Sequence, residues 1–463
     1  MTPVLIEEWL AAQTPEVQAV IRHLLAEIAQ LKEQVSKLTP QNSSLPPSSQ
    51  HPHAKPLRPK RKNRRRRGGQ PGHDKHSRAL VPVEQCQAVV HVHPSTCRRC
   101  ATRLQGDDPE PLRHQVWELP VIQPLITEYR QHRLTCPCCG ETTCAPLPTG
   151  VPVGQSGPRL VAFTGLLMGH FRQSKRRAAL FLQDLLGFPC CPATTVKMQT
   201  QVAAALEQPY DELKRQLETE PQLNMDETPT KQANNKAWLW TAVAAQFAVF
   251  AIFSSRKGDA LPKLLGNNFK GIINCDRAKM YWQAKRLQWC WAHLKRDFQA
   301  LIDHPEAQVK RLGHDLMRQV KAMFAHWKRY KNGELDWPTF QANLVPIREE
   351  INALLLRGVY SGNSRLQGMC EQLWDHRDWL WTFVDVQGIE PTNNTAERAL
   401  RPAVIYRKLS FGTQSASGSR FVERMLTACE TCRLQNRSIF TYLVEAVAAH
   451  FKGQDAPSLL PAL

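Results

Sequence analysis

Acidic side chains and long apolar stretches are both scarce in this chain of 463 residues. Lysine and arginine total 60 against 41 aspartates and glutamates, which gives a formal net charge of +19 and a pI near 9.5. The positive charge is clustered rather than spread, which argues against a surface charge that serves only solubility. We therefore expect a polyanionic partner, with nucleic acid first and an anionic membrane surface second.

A membrane-spanning stretch is missing. The longest apolar run, AWLWTAVAAQFAVFAIF at 237–253, is shorter than the roughly 20 residues that a span needs. Its Trp, Val, Phe and Ile content favours two buried strands that turn near Ala245 and Gln246. The N-terminal VLIEEWLAAQTPE also lacks the basic region and apolar block of an export signal. We therefore expect a cytoplasmic, nucleoid-associated protein with no membrane partner.

Fourteen cysteines occur without an export signal, so we expect reduced thiols and metal ligation rather than disulfides. CRRC at 97–100 and CPCC at 136–139 have the ligand spacing of a zinc ribbon. The segment HQVWELPVIQPLITEYRQHRLT between them alternates apolar and polar residues, as the strands of a ribbon would. One structural zinc ion is predicted at Cys97, Cys100, Cys136 and Cys139. Cys138 or Cys144 is an alternative ligand.

Apolar residues recur at alternating spacings of four and three between Val17 and Leu38, the pattern of a leucine zipper. A single amphipathic helix packed on its own domain is the alternative. Because Pro40 and the polar tract after it leave no nearby core, we prefer a homo-oligomer. The residues of the predicted oligomerisation seam are Ile21, Leu24, Ile28, Leu31, Val35 and Leu38.

The composition changes completely after Leu38. QNSSLPPSSQHPHAKP is too polar to bury a core, and it leads into the strongly basic LRPKRKNRRRRGGQPGH. Such blocks are typically disordered arms that contact DNA phosphates, with a solvated tail as the alternative. The residues predicted to bind DNA are Lys60, Arg61, Lys62, Arg64, Arg65, Arg66 and Arg67.

A helical region follows at 157–220. SKRRAALFLQDLLGFPCCPATTVKMQTQVAAAL predicts a helix, a short turn with Gly and Pro, and a second helix from near Thr194. This is the spacing of a helix-turn-helix, which sets its second helix in the major groove of DNA. Helix pairs of this kind are also common in proteins that bind no DNA.

The region after Pro221 mixes strands and helices. QLNMDET, AWLWTAV, FAVFAIF and GIINCD are four strand candidates, and SRKGDALPKLLGN supplies a helix before the last of them. Residues 278–390 return to helices rich in Trp, Lys and Arg. The pattern predicts an α/β layer interrupted by a long helical insertion.

Three acids in this region occupy positions where burial is costly unless a cation neutralises them. Asp226 lies in an extended run, Asp276 ends the apolar GIIN, and Glu397 lies one turn into a predicted helix. Glu227 should face the opposite side of the strand from Asp226, and we select Asp226 because it follows two apolar residues into the core edge. Together the three acids suit a pair of Mg²⁺ (or Mn²⁺) ions about 3.5–4 Å apart.

Each acid also has a plain explanation on its own. Asp226 is then an acid at a strand end, and Asp276 caps a helix that starts at Arg277. Glu397 then forms a weak surface pair with Arg401, four residues on.

Four motifs resemble the landmarks of insertion sequence sixty-six transposases, which belong to the DDE group: NMDET, the CD at 275–276, CWAHLKRDF and TNNTAERALRP. The resemblance extends over nearly the whole chain, including the SSLPPSS segment with its basic arm and GGQPGH. It implies a ribonuclease-H-like catalytic core with Asp226, Asp276 and Glu397 as the acidic triad. It also implies that Cys290 and His293 support the site, with plain burial as the alternative. Arg401 is predicted to be a further supporting residue.

The sequence thus predicts a multidomain protein of α+β and α/β class. Its predicted parts are a coiled-coil helix at 1–38, a disordered Pro/Ser-rich and basic arm at 39–78, a zinc-ribbon-like domain at 79–150, a helical domain with the helix-turn-helix at 151–220, the first part of the ribonuclease-H-like core at 221–298, a helical insertion at 299–388, the rest of the core with C-terminal helices at 389–450, and a tail at 451–463.

The resemblance implies Mg-dependent cleavage and strand transfer of DNA. The expected partners are terminal repeats of an insertion sequence, target DNA, further copies of the chain and small accessory proteins. A non-enzymatic zinc-finger regulator is one alternative, because zipper, arm and finger alone would bind DNA. A nuclease with the same core that cuts without joining is the other.

Overall fold

The computed structural model describes residues 13–38 and 78–461. The chain divides into two units, Arg58–Leu125 and a larger one formed by Met1–Leu57 with Ile126–Leu463. The basic arm, and with it every residue predicted there to bind DNA, lies outside the described residues. So do the side chains of Val35 and Leu38.

The larger unit is mostly helical, with a hairpin and one mixed sheet. Its helices are α1 (Pro15–Leu38), α2 (Pro158–Gly169), α3 (Lys175–Leu186), α4 (Pro192–Ala205), α5 (Glu207–Gln216), α6 (Ala260–Leu265), α7 (Trp291–Ile302), α8 (Ala307–Lys331), α9 (Trp337–Val359), α10 (Ser364–Asp375), α11 (Asp378–Asp385), α12 (Asn394–Ser410), α13 (Ala416–Leu434) and α14 (Ile439–Phe451). Its strands are β1 (Arg133–Thr135), β2 (Thr142–Cys144), β3 (Gln222–Gln232), β4 (Asn235–Val243), β5 (Ala248–Phe253), β6 (Ile272–Cys275) and β7 (Leu287–Trp289).

The smaller unit has little regular structure in its described part. It contains a 3₁₀ turn at Val83–Gln85 and an isolated bridge between Thr96 and Arg103. Gln115 holds Val81 through its side-chain amide, which accepts from the Val81 N–H (2.9 Å) and donates to the Val81 carbonyl (2.9 Å). Side chains rather than a sheet therefore tie this segment together.

The mixed sheet has the strand order β5-β4-β3-β6-β7. β3, β4 and β5 form an antiparallel meander, while β6 pairs parallel to β3 and β7 parallel to β6. The tight turn between β3 and β4 places Ala233 and Asn234 at positive φ (47° and 63°), as a two-residue hairpin requires. The middle of the sheet is buried, with Leu223, Trp240 and Ile273 all at 0% exposure.

Side chains of α13 cover the outer edge of the sheet. The N–H groups of Ala248 and Phe250 donate to Thr431 Oγ1 (3.2 Å) and Thr427 Oγ1 (3.0 Å). The N–H of Ile252 donates to Glu423 Oε1 (2.5 Å). The acceptors are spaced at four residues along one helix face, which matches every second residue of β5. An open edge with unpaired donors is thereby avoided.

The helices between β7 and α12 pack through large aromatic residues. Trp291 and Trp381 are fully buried, with ring centroids 5.2 Å apart. The indole N–H of Trp291 donates to the Leu380 carbonyl (2.7 Å). This contact anchors α7, which begins beside the sheet, to α11 at the far end of the inserted segment.

Most of the predicted elements after Pro221 are confirmed. The four strand candidates correspond to β3, β4, β5 and β6, and the helix before the last of them to α6. The apolar run at 237–253 divides between β4 and β5, and in the described part of the chain no helix is apolar and long enough to span a membrane. The helix pair at 174–206 is also present, as α3 and α4.

Two predictions of local structure are wrong. Residues 114–132 form no strand, because Pro120 and Pro124 remove ladder donors and the apolar side chains there, such as Val121 (87% exposed), have no face to bury against. The region 278–390 is not purely helical, since it contains β7. A strand of three residues is too short to show a periodicity.

Glu423 gives the edge contact a pH dependence. Burial raises the pKa of Glu423 to about 7, against the opposing charge of Arg420. Because the folded-state pKa lies above the unfolded value, stability is highest below about pH 4.5 and falls as the pH rises toward 7. Glu423→Gln keeps an acceptor for Ile252 and cannot ionise, so its free energy of unfolding should rise relative to the native protein between pH 5 and pH 8. The gain is about 1.4 kcal/mol per unit of pKa displacement.

Thermal unfolding of both proteins across that pH range measures this effect. Glu445→Gln, which changes an exposed acid on α14, is the matched control and should follow the native curve. A constant offset between Glu423→Gln and the native protein at every pH would contradict the assignment.

Candidate active site

Asp226 and Asp276 lie just beyond the parallel pairing of the neighbouring strands β3 and β6. Asp226 is on β3 two residues after Asn224, the last residue of β3 that pairs with β6, and Asp276 directly follows Cys275 at the end of β6. The paired residues are Gln222↔Ile272, Leu223↔Ile273 and Asn224↔Asn274. Since each aspartate lies two residues beyond the same pair, the register brings them to one edge of the sheet.

Asn393 connects the helix of Glu397 to the strand of Asp226. Its side-chain amide donates to the carbonyl of Met225 (2.6 Å), and its backbone N–H donates to Cys290 Sγ (3.1 Å). Its own carbonyl accepts from the N–H of Glu397 (3.2 Å), so Asn393 is the N-cap of α12. One buried side chain thus fixes where Glu397 stands relative to Asp226.

Asn274 makes a second connection one strand away. Its amide donates to the carbonyls of Glu390 (2.7 Å) and Thr392 (3.2 Å). Asn274 lies two residues before Asp276, and Glu390 and Thr392 precede α12. The loop that leads into the glutamate helix is therefore held on both strands that carry aspartates.

The carboxylates at this edge influence one another. Burial raises the pKa of Asp226 well above its usual range. The charges of Glu227 and Asp276 raise it further, as does that of Glu397 to a smaller extent. The N–H of Glu227 donates to Asp226 Oδ1 (2.9 Å) and opposes these effects. Such a group of acids favours a positive partner strongly.

Glu227 has partners of its own. Arg256 donates to Glu227 Oε1 through Nε (2.8 Å) and Nη2 (2.6 Å), and the Tyr281 hydroxyl donates to Oε2 (2.6 Å). Burial, reinforced by the charge of Asp276, raises the pKa of Glu227 to about 7 despite Arg256. Arg256 in turn stacks on Trp238, 4.9 Å from the ring centroid. Glu227 is thus held by two side chains, whereas Asp226 accepts its hydrogen bond from a backbone N–H.

Glu397 faces His293 and Arg296 on α7. Its Oε1 lies 3.4 Å from Arg296 Nη2 and 3.7 Å from His293 Nδ1. Arg401, the partner expected for Glu397, is exposed one turn further along α12. Arg296 was part of the CWAHLKRDF motif, but the sequence alone assigned it no role.

The ligand atoms of Cys290, His293 and Glu397 all lie within 4.8 Å of one another. Among the described residues, no other three potential metal ligands lie as close together. Burial raises the pKa of Cys290 to about 11. Burial and the charge of Arg296 both lower the pKa of His293. A protonated thiol and a neutral imidazole therefore face Glu397 at neutral pH.

Of the two cysteine knuckles, Cys97 and Cys100 belong to the smaller unit, and Cys136 and Cys139 to the larger one. Cys97 begins a tight turn in which its N–H donates to the Thr102 carbonyl (2.9 Å). Cys136 begins a similar turn between β1 and β2, where its N–H donates to the Glu141 carbonyl (2.8 Å). The backbone N–H groups of Cys139 and Cys138 lower the pKa of the Cys136 thiol, and a hydrogen bond from Thr102 lowers that of Cys100.

The helix for which the sequence predicts a zipper is present as α1. Within its described side chains, Leu24, Ile28 and Leu31 are exposed at 45–56%, and Ile21 is partly buried. This is the apolar face that the heptad pattern predicted.

Two family models match the chain. The Transposase IS66 family matches residues 154–420, which include β3, β6, α7 and the part of α12 that carries Glu397. A second model, Family of unknown function (DUF6444), matches residues 3–79.

Two relatives from Sinorhizobium fredii match the chain at low sequence identity. "Uncharacterized protein y4qI" is 22% identical over 267 residues, which cover 50% of this chain and 47% of that protein. "Uncharacterized protein y4hP" is 24% identical over 406 residues, 78% of this chain and 72% of that protein. The chain thus spans about half the length of the first relative.

The amide contact of Asn393 should be important for stability. Asn393→Asp keeps the shape of the side chain, removes the donor to Met225 and adds a negative charge near Asp226. We expect the free energy of unfolding to fall by about 1–3 kcal/mol, because a buried carbonyl loses its partner.

Chemical denaturation measures this decrease, and Asn394→Asp provides the control. Asn394 is the next residue, is exposed and is the first residue of α12, where an acid is well placed by the helix dipole. Equal stability of the two variants would show that Asn393 does not hold the helix to the strand.

Proposed function

Since this chain belongs to the IS66 family of transposases, we propose that it cleaves and joins DNA at an acidic site formed by Asp226, Asp276 and Glu397. The main support for this proposal is geometric: Asp226 and Asp276 each lie two residues beyond the same β3–β6 pair, and Asn393 ties the start of α12 to β3. The charges of Asp276 and Glu397 also raise the pKa of Asp226. A regulator that only binds DNA has no need for repelling acids at one sheet edge.

The strand order supports a ribonuclease-H-like core. An antiparallel meander followed by two parallel strands on the other side of its first strand is the arrangement found here. Asp226 lies on β3 just beyond its parallel pairing with β6, and Asp276 follows the carboxyl end of β6, where α/β sheets usually place their ligand sites. The helices α7 to α11 would then form the insertion between the second aspartate and the glutamate.

The three residues fit a divalent metal by donor type and by electrostatics. Carboxylate oxygens are the ligands that Mg²⁺ and Mn²⁺ prefer, and cations would relieve the repulsion that raises the pKa of Asp226. When bound, a pair of such ions would activate water or a DNA 3′-hydroxyl and stabilise the leaving oxygen.

The neighbouring side chains would position Glu397. Arg296 balances its charge, and neutral His293 presents a ring nitrogen to the same oxygen. Cys290 contributes through its contact with Asn393 rather than as a thiolate. We propose these residues as supports of the site; the resemblance implied Cys290 and His293, and the structure adds Arg296. No protein nucleophile is required, because water and DNA hydroxyls supply the attacking oxygen.

The remaining parts would bring DNA and further copies of the chain. We propose that the basic arm binds DNA phosphates and that the exposed face of α1 joins copies through a zipper. The sequence predicts one zinc ion at the four knuckle cysteines, and each knuckle presents two thiols from a tight turn. Metal analysis of the purified protein tests that proposal.

Single substitutions of the acids test the central proposal. Asp226→Asn, Asp276→Asn and Glu397→Gln should each abolish Mg²⁺-dependent cleavage, because each removes a charged metal ligand. DNA binding should persist, since its main determinants lie elsewhere. The substrate is a supercoiled plasmid that carries the coding segment with its natural flanking DNA, and nicks and joined products are mapped on gels.

Asp211→Asn, which changes an exposed acid on α5, is the control and should cleave normally. Substantial cleavage by any of the three variants would remove that residue from the site. Cleavage without joined products would identify a nuclease instead of a transposase.

A further inference from the structure

A groove runs between α7 and α8 beside the candidate active site. Its volume is about 590 Å³. Successive turns of each helix contribute lining residues at spacings of three and four. One face of each helix therefore forms a wall of the groove. The lining residues are Ala292, Lys295, Arg296, Gln299, Ile302, His314, Met317, Arg318 and Lys321.

The lining of the groove is basic. It contains two lysines, two arginines and a histidine, and no carboxylate. Asp315, just outside the lining, pairs with Arg318. Lys295 and Lys321 are exposed and pair with no acid among the described residues, so their charge is available to a ligand. The apolar floor of Ala292, Ile302 and Met317 adds no competing polar group.

Arg296 joins this groove to the acids. It lines the groove, and its Nη2 lies 3.4 Å from Glu397 Oε1 and 3.4 Å from His293 Nε2. A phosphate bound by Arg296 would therefore lie close to the proposed metal ligands, with only the Arg296 side chain between them. The positive wall continues away from Glu397 through Lys295 and Lys321.

We propose that this groove binds the backbone phosphates of the DNA strand that is presented to the acidic site. The proposal rests on the proposed function and adds a DNA-binding surface within the helical insertion, distinct from the basic arm. Its charge, its length along two helices and its continuity with Glu397 all match a polyanionic strand. Two phosphates bound by Lys295 and Lys321 would direct the next phosphate toward Arg296.

The test is the salt dependence of DNA binding by the full chain. A fluorescent DNA duplex is titrated with native protein and with Lys295→Gln/Lys321→Gln at several NaCl concentrations, with Ca²⁺ in place of Mg²⁺ so that binding alone is measured. The double variant should bind more weakly. The slope of log K against log salt should become shallower by about 1.8, at about 0.9 for each phosphate that is no longer neutralised. Lys295→Arg/Lys321→Arg should restore the native slope.

Lys270→Gln/Lys285→Gln is the matched control. Both lysines are exposed and precede β6 and β7, at the opposite edge of the sheet from Asp276, and the change in net charge is the same. The proposal is overturned if Lys295→Gln/Lys321→Gln keeps the native slope, or if both Gln doubles lower it equally.

The result for DNA binding by the groove is separate from the result for DNA cleavage. A native protein that cleaves DNA while the slope stays unchanged would remove the groove and leave the proposed function in place. A shallower slope in a protein that cleaves no substrate would keep the groove as a DNA-binding surface and contradict the proposed function.

Discussion

Repulsion between carboxylates buried at one sheet edge is the constraint on which the structure depends. Asp226 and Glu227 lie on β3 just beyond its parallel pairing with β6, and Asp276 directly follows β6. Burial with mutual charge raises the pKa values of Asp226 and Glu227. Arg256 forms an ion pair with Glu227 and Tyr281 donates a hydrogen bond to it, whereas Asp226 and Asp276 form no ion pair with any described residue. Burying acids that repel one another is costly, and a bound cation, as we propose for this site, would relieve that cost.

Two asparagines make the arrangement geometrically possible. Glu397 is more than a hundred residues from either aspartate in the chain, with a helical segment between them. The side chains of Asn274 and Asn393 hold the returning chain against β6 and β3, because each donates a hydrogen bond to a backbone carbonyl. The insertion can therefore be long without loosening the position of the glutamate, because the loop before α12 is fixed at the sheet rather than through the helices. On the other side, α13 closes the sheet edge at β5.

Much of the strand pattern was readable from the sequence, because long alternating or continuous apolar runs such as those of β4 and β5 carry a strong signal. The positions of Asp226, Asp276 and Glu397 in strand, strand end and helix start followed from the same patterns. β7 was missed because three residues show no period. The contacts of Asn393 and Arg296 were also missed, since a side chain that bonds to a residue over a hundred positions away leaves no local pattern. The prediction of strands in the exposed segment at 114–132 was wrong for the opposite reason. Its apolar and polar residues do alternate, but prolines and the lack of a covering face prevent a strand.

Crystals soaked in Mn²⁺ and measured at the manganese absorption edge test the central claim most directly. The account predicts two anomalous peaks about 3.5–4 Å apart, within bonding distance of carboxylate oxygens of Asp226, Asp276 and Glu397. A peak confined to Cys290, His293 and Glu397, or no peak beside the two aspartates at saturating Mn²⁺, would contradict it.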